Sequence, residues 1–142
     1  MRQEALPARC VFFIPADPFG IFLAIMNEMV IQLVGIIAPT EIREQLGRAL
    51  AAMLGPTQVE PGCLSCLLYR DLSYANVIYI ESRWETLDDL IHHICSDAFK
   101  RLLLLMELGA EPPTIEFLTV TDVKGLKFIE AVRQGKTVHP AF

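Results

Sequence analysis

The segment from Pro61 to Phe99, PGCLSCLLYRDLSYANVIYIESRWETLDDLIHHICSDAF, constrains the fold more than any other part of the chain. It reads as a strand over Cys63–Asp71, a turn over Ser73–Asn76, a strand over Val77–Trp84 and a helix capped by Thr86. The two strands pair most simply as an antiparallel hairpin. Neither alternates cleanly between apolar and polar residues. Leu64 and Leu68 are opposed by Cys63 and Leu67, and Ile78 and Ile80 by Val77 and Tyr79. A sheet with one wet face would alternate, so both faces here require cover.

The flanking segments complete a fold. Met29–Ala38 (MVIQLVGIIA) is apolar and β-branched, and Pro39 ends it, which predicts a first strand. Its two faces carry Val30, Val34 and Ile36 against Ile31, Leu33 and Ile37. Thr40 is the expected N-cap of a helix, with Glu41 at its positive end. Ile42, Leu46, Leu50 and Met53 recur at helical spacing, Glu44 and Arg48 are placed to pair, and Gly55-Pro56 is the expected stop. The helix after Trp84 turns Leu87, Leu90, Ile91, Ile94 and Ala98 inward. Ser96-Asp97 is a second capping signal, which predicts a break there and a further helix to about Leu108. Gly109 and Pro112-Pro113 end it. Thr114–Val123 reads as a fourth strand, and Gly125–Arg133 as a short amphipathic helix using Leu126, Ile129 and Val132, with 134–142 as a tail.

The order β-α-β-β-α-β predicts an α+β, ferredoxin-like fold with a four-stranded antiparallel sheet. Its helices can cover only one sheet face. The simplest second cover is another copy of the chain, giving a homodimer whose sheets face each other as a dimeric α/β barrel. The composition agrees. Of 142 residues 53% are hydrophobic and 20% charged, and the mean hydropathy is +0.41, which is more apolar surface than one small core absorbs. The net charge of −5 argues against nucleic acid, which requires clustered Lys and Arg.

Residues 1–28 are expected to lie outside the domain, with Met26 and Met29 as alternative start sites for translation. Pro15, Asp17, Pro18, Asn27 and Glu28 interrupt the apolar stretch over 10–38, so no membrane span is expected. The same prolines break the centre a signal peptide needs. The four cysteines form no evident disulfide framework, and a cytoplasmic setting is the expectation. Cys63 and Cys66 make a CxxC, but positions three apart on a regular strand face opposite sides, and no second CxxC completes a zinc site.

The chain resembles the antibiotic biosynthesis monooxygenase family, the quinol monooxygenase-like dimeric α+β barrels, over roughly Met29 to Val123. The resemblance rests on Glu60-Pro61-Gly62-Cys63 before the second strand, Tyr69-Arg70-Asp71 at its end, Glu81 and Trp84 on the third, and His93, Ser96 and Phe99 on the helices that follow. It implies a domain over 29–124 and a small pocket between sheet and helices. Some members of the family oxidise quinols or polycyclic phenols with dioxygen, without metal or flavin. A haem-degrading branch depends on an Asn in the first strand and an axial His past the position of His93. This chain has no first-strand Asn, and Leu102–Leu105 fills the second neighbourhood.

Two functions follow as alternatives. One is a cofactor-independent monooxygenase acting on a quinol or phenolic substrate. The other is a non-catalytic dimeric module that binds a small apolar ligand. His93 is the candidate general base, because imidazole titrates near neutrality, or else a buried structural histidine. Trp84 is either a wall for a flat ligand or a core aromatic. Tyr69 and Tyr79 are candidates to orient a substrate oxygen, or to pack at an interface, and the resemblance adds Phe99 as a substrate contact. Glu81 and Arg83, two apart on one strand, are placed to form an ion pair.

Overall fold

The computed structural model describes residues 28–138. The extension expected over 1–28 falls, apart from Glu28, outside the described residues, as does His139 in the tail. The described chain runs β1 (Met29–Ile37), α1 (Arg43–Gln58), β2 (Cys63–Arg70), β3 (Val77–Trp84), α2 (Leu87–Ile94), α3 (Asp97–Met106), β4 (Thr114–Val120) and α4 (Leu126–Arg133). The sheet order is β2-β3-β1-β4, and every neighbouring pair is antiparallel. This is the α+β, ferredoxin-like architecture that the element order predicts.

One sheet face packs under α1, α2 and α3. It presents Val30, Gln32, Val34 and Ile36 from β1, and Ile78, Ile80, Ser82 and Trp84 from β3, all buried. Leu46 and Leu50 of α1 and Leu102 and Met106 of α3 close over it. Each such aliphatic side chain contributes roughly 1.5–3 kcal/mol by leaving water. The other face carries Ile31, Leu33 and Ile37 of β1, which are only half-buried. Beside them stand Leu67 and Tyr69, each 42% exposed, and Leu118, 46% exposed. Tyr79 lies there over Gly35, where a Cβ would come within 3.0 Å of the tyrosine ring.

Local chemistry accounts for the helix starts. Thr86 accepts from the Asp89 amide at 3.2 Å and donates to the Asp89 carboxylate at 2.8 Å, so it caps α2. The expected break falls at Ser96, whose hydroxyl accepts from the Phe99 amide at 3.2 Å and starts α3. In the hairpin turn, Asp71 Oδ1 accepts from the amides of Ser73 and Tyr74 at 2.7 and 2.9 Å.

Several local expectations are corrected. Thr40 does not cap α1. Its hydroxyl accepts from the Asn76 side chain at 3.2 Å, and Ile42 holds the N-cap position without a side-chain bond. Gly55-Pro56 does not stop α1, which runs through Pro56 to Gln58. A proline so near the end removes one intrahelical bond, and the Gln58 side chain ties that end to the Cys66 carbonyl at 2.9 Å. Glu44 pairs with Arg70 and Arg43, at 3.2 and 3.4 Å, rather than with Arg48. β4 ends at Val120, three residues earlier than expected.

The largest correction concerns β2. Cys63 lies opposite Trp84 and Cys66 opposite Ser82, with an irregularity between Cys63 and Ser65 that adds one residue. Trp84 and Ser82 are two apart on a regular strand and share a face. The two cysteines therefore face the same side, toward the helices, and Leu64 is extruded at 55% exposure.

Candidate functional site

Three elements converge on His93. It stands in the last turn of α2, is 2% exposed, and sits between two aromatic rings. Trp84 stacks on it at 4.5 Å between centroids with 26° between planes. Phe99 meets it edge-on at 5.5 Å and 85°. Ser96 sets this spacing, because its hydroxyl donates to the His93 carbonyl at 2.6 Å while accepting from the Phe99 amide. The pattern His93, Ser96, Phe99 is thus one device that places two rings across a helix break.

Glu60 approaches from the loop between α1 and β2. Its Oε2 lies 2.9 Å from His93 Nδ1, with the carboxylate side chain 21% exposed. A carboxylate accepts only, so Nδ1 carries a proton and donates. Nε2 is then the other ring nitrogen, and among the described residues it has no hydrogen-bond partner. Gly62 turns the loop with φ of +78°, and a Cβ there would come within 2.5 Å of Asp89 Cβ. This backbone conformation favours glycine, and it lets the chain reverse from Glu60 into β2.

Gln32 comes from the centre of β1. It is fully buried, and among the described residues neither its amide nitrogen nor its amide oxygen has a hydrogen-bond partner. An unmet amide of this kind costs about 1–3 kcal/mol. Gln32 and His93 line one small cavity of about 10 Å³ together with Ser82, Thr57, Met53 and Leu102. That is room for one water-sized group. The Ser82 hydroxyl accepts from Trp84 Nε1 at 2.9 Å, which fixes the indole plane against His93. Met53 also lines a wider groove of about 380 Å³ between α1 and α3, floored by Ala49, Ala52, Pro56 and Leu105. Met53 is therefore the wall shared by cavity and groove.

Cys66 borders the same cavity. Burial, then the neighbouring Cys63 and Glu60, push its thiol up to about 12. Cys63 is also raised, by burial first and then by Glu60. Both thiols are neutral at ordinary pH and poor nucleophiles. Among the described residues no three His, Cys, Asp or Glu side chains gather as a metal site.

The structure brings Trp84, His93 and Phe99 together. It places Tyr69 and Tyr79 elsewhere: they are cross-strand partners on the opposite sheet face from His93. The Glu81–Arg83 pair forms on that face at 2.8 Å. Sequence reasoning did not single out Gln32, although it is the only polar side chain in MVIQLVGII. Glu60 was visible only within the Glu60-Pro61-Gly62-Cys63 motif. Its partner is 33 residues away, a distance no local pattern spans.

A four-stranded antiparallel sheet with a half-buried second face, and a buried His between sheet and helices, place the chain in the class of small α+β, ferredoxin-like domains. The profile of that class's antibiotic biosynthesis monooxygenase family matches residues 29–103, and the chain belongs to this family. Among solved structures, Rv0793 from Mycobacterium tuberculosis is similar with a TM-score of 0.62 and 23% identity over 68% of this chain and 99% of that one. A proposed antibiotic biosynthesis monooxygenase from Caulobacter crescentus CB15 gives 0.62 and 22%, over 70% and 96%. Another from Deinococcus radiodurans gives 0.63 and 22%, over 68% and 97%. These likenesses establish the fold. The comparison with curated proteins finds no match. Among the described residues, no helix is long and apolar enough to cross a membrane.

Proposed function

We propose that this protein is a cofactor-independent monooxygenase that oxidises a quinol or phenolic aromatic with dioxygen, working as a homodimer. One observation carries the reading: a buried histidine, packed between Trp84 and Phe99, with one nitrogen held by Glu60 and the other without a hydrogen-bond partner among the described residues. Membership of the family supports a monooxygenase-type reaction.

In this reading His93 Nε2 takes a hydroxyl proton from the substrate, and Glu60 stabilises the imidazolium that forms. The electron-rich phenolate reduces dioxygen itself. One quinol and one dioxygen give one hydroxyquinone and one water. One oxygen atom inserts into a ring C–H bond as a new hydroxyl, and the second leaves as water with the two hydrogens lost from the quinol hydroxyls. No further reductant is required. Trp84 and Phe99 hold the imidazole between two rings and keep water from it. Tyr69 and Tyr79, across the sheet, belong to the dimer interface in this reading. The half-buried Ile31, Leu33 and Ile37, together with Leu67 and Leu118, supply the apolar area.

The test is dioxygen uptake with a panel of quinols and anthrone-like phenols, for wild type and His93→Ala, with circular dichroism confirming that the variant folds. Uptake by wild type and its loss in the variant are expected. Equal uptake by both proteins would remove His93 as the base. No uptake with any substrate would leave the alternative, a dimeric ligand-binding module.

A further inference from the structure

We propose that the cavity between Gln32 and His93 is a receptor for one hydroxyl group of the ligand, and that it selects the reduced, hydroxyl-bearing form over the carbonyl form. The inference rests on the quinol reading above and specifies how that site chooses.

Gln32 is the anomaly that motivates it. Its carboxamide is fully buried, and among the described residues neither polar atom has a partner, whereas buried amides are almost always paired. An apolar residue would suit the middle of β1 better, so the amide fits a ligand rather than the fold. The cavity, about 10 Å³, is far below the ~150 Å³ that holds a benzene ring. Only the tip of a ligand can enter. The ring reaches it from the groove between α1 and α3 by displacing Met53, whose flexible thioether is the most yielding part of the shared wall.

The donor and acceptor pattern decides which tip. The Gln32 amide offers N–H groups and one carbonyl oxygen. His93, whose Nδ1–H donates a hydrogen bond to Glu60, offers an accepting Nε2. A hydroxyl satisfies both kinds of group at once, since it donates its proton and accepts on its lone pairs. A quinone carbonyl only accepts. It would meet the Gln32 N–H groups but leave two acceptors facing a third, so the oxidised product is expelled from the position the substrate occupies.

The protein reports on its own site, because Trp84 is the single tryptophan and stacks on His93. The experiment is anaerobic titration of Trp84 fluorescence with 1,4-naphthohydroquinone, its dimethyl ether and 1,4-naphthoquinone, corrected for absorption by each probe. Wild type is expected to bind the hydroquinone at least tenfold tighter than either other probe. Gln32→Met, close in size, is expected to bring the three within about twofold while melting at the same temperature or higher. Equal affinities in the wild type would overturn the proposal, as would a Gln32→Met variant that keeps the preference. A variant that melts well below wild type or fails to fold would overturn it too, since the amide would then be serving the fold. Selective anaerobic binding without oxygen uptake in air would sink the oxygenase reading alone. Oxygen uptake without selectivity would sink only this one.

Discussion

Gly62→Ala should be among the most damaging single-methyl additions in the domain. Gly62 has φ of +78°, where a side chain costs roughly 1–2 kcal/mol of backbone strain. The new Cβ would lie within 2.5 Å of Asp89 Cβ, and closer still to its carboxyl group. Asp89 must therefore leave its place, which breaks the reciprocal bonds with Thr86 that start α2. Loss of such a cap costs about 1 kcal/mol. Together these give a loss of roughly 2–3 kcal/mol, or about 8–12 °C in melting temperature at ~4 °C per kcal/mol for a domain of this size. Urea unfolding of four proteins reads it: wild type, Gly62→Ala, Asp89→Gly and the double variant. If the crowding is real, adding Gly62→Ala to the Asp89→Gly background, which removes the opposing Cβ and carboxylate together, costs only the strain, about 1–2 kcal/mol, and the cycle is non-additive. A loss below about 0.5 kcal/mol for Gly62→Ala, within the range of an inconsequential surface change, would refute the reasoning. So would strict additivity.

Other outcomes follow from the same structure. Cys66, with its thiol raised from 9.0 to about 12, keeps its proton in the folded protein after the unfolded chain has lost it. Its contribution to stability is therefore whole below pH 9 and falls as pH rises from 9 toward 12, by up to about 1.4 kcal/mol per pH unit. Cys66→Ala should flatten the alkaline limb of a stability-versus-pH curve, and an unchanged limb would assign the effect elsewhere. Leu33 lies between Glu81 on β3 and Glu116 on β4. Leu33→Lys should keep the monomer folded, with carboxylates on either side, yet give a monomer by sedimentation where wild type is expected to run as a dimer. A dimer surviving that change would place the interface on another surface.

What was legible in the chain was mostly local chemistry. Thr86, Ser96 and Asp71 bond within three residues of themselves, so their turns and caps could be read directly. The two-faced strands gave the sheet its character, and strand parity alone separates Tyr79 from Trp84, five residues on. What stayed hidden depends on partners distant in sequence. Thr40 failed as a cap because Asn76, 36 residues away, takes its hydroxyl. Pro56 failed as a stop because β2 holds the end of α1 through Gln58. Gln32 stands out as polar in β1, but only the helices opposite reveal that none of the described residues meets its amide. The extra residue of β2 left no trace, since CLSCLLYR contains neither Gly nor Pro.

That extra residue also governs how this chain is to be compared with others. Downstream of Leu64, every β2 side chain has the opposite orientation to the one a regular strand starting at Cys63 would give it. A relative without the insertion, matched to this chain from Cys63 onward without a gap, would have each interior residue set against an exterior one up to Arg70. Identical letters in the two rows would then sit in different environments, Cys66 in the core of one and on the open face of the other. A gap of one position at Leu64 restores the match, and its placement is a statement about geometry before it is one about ancestry.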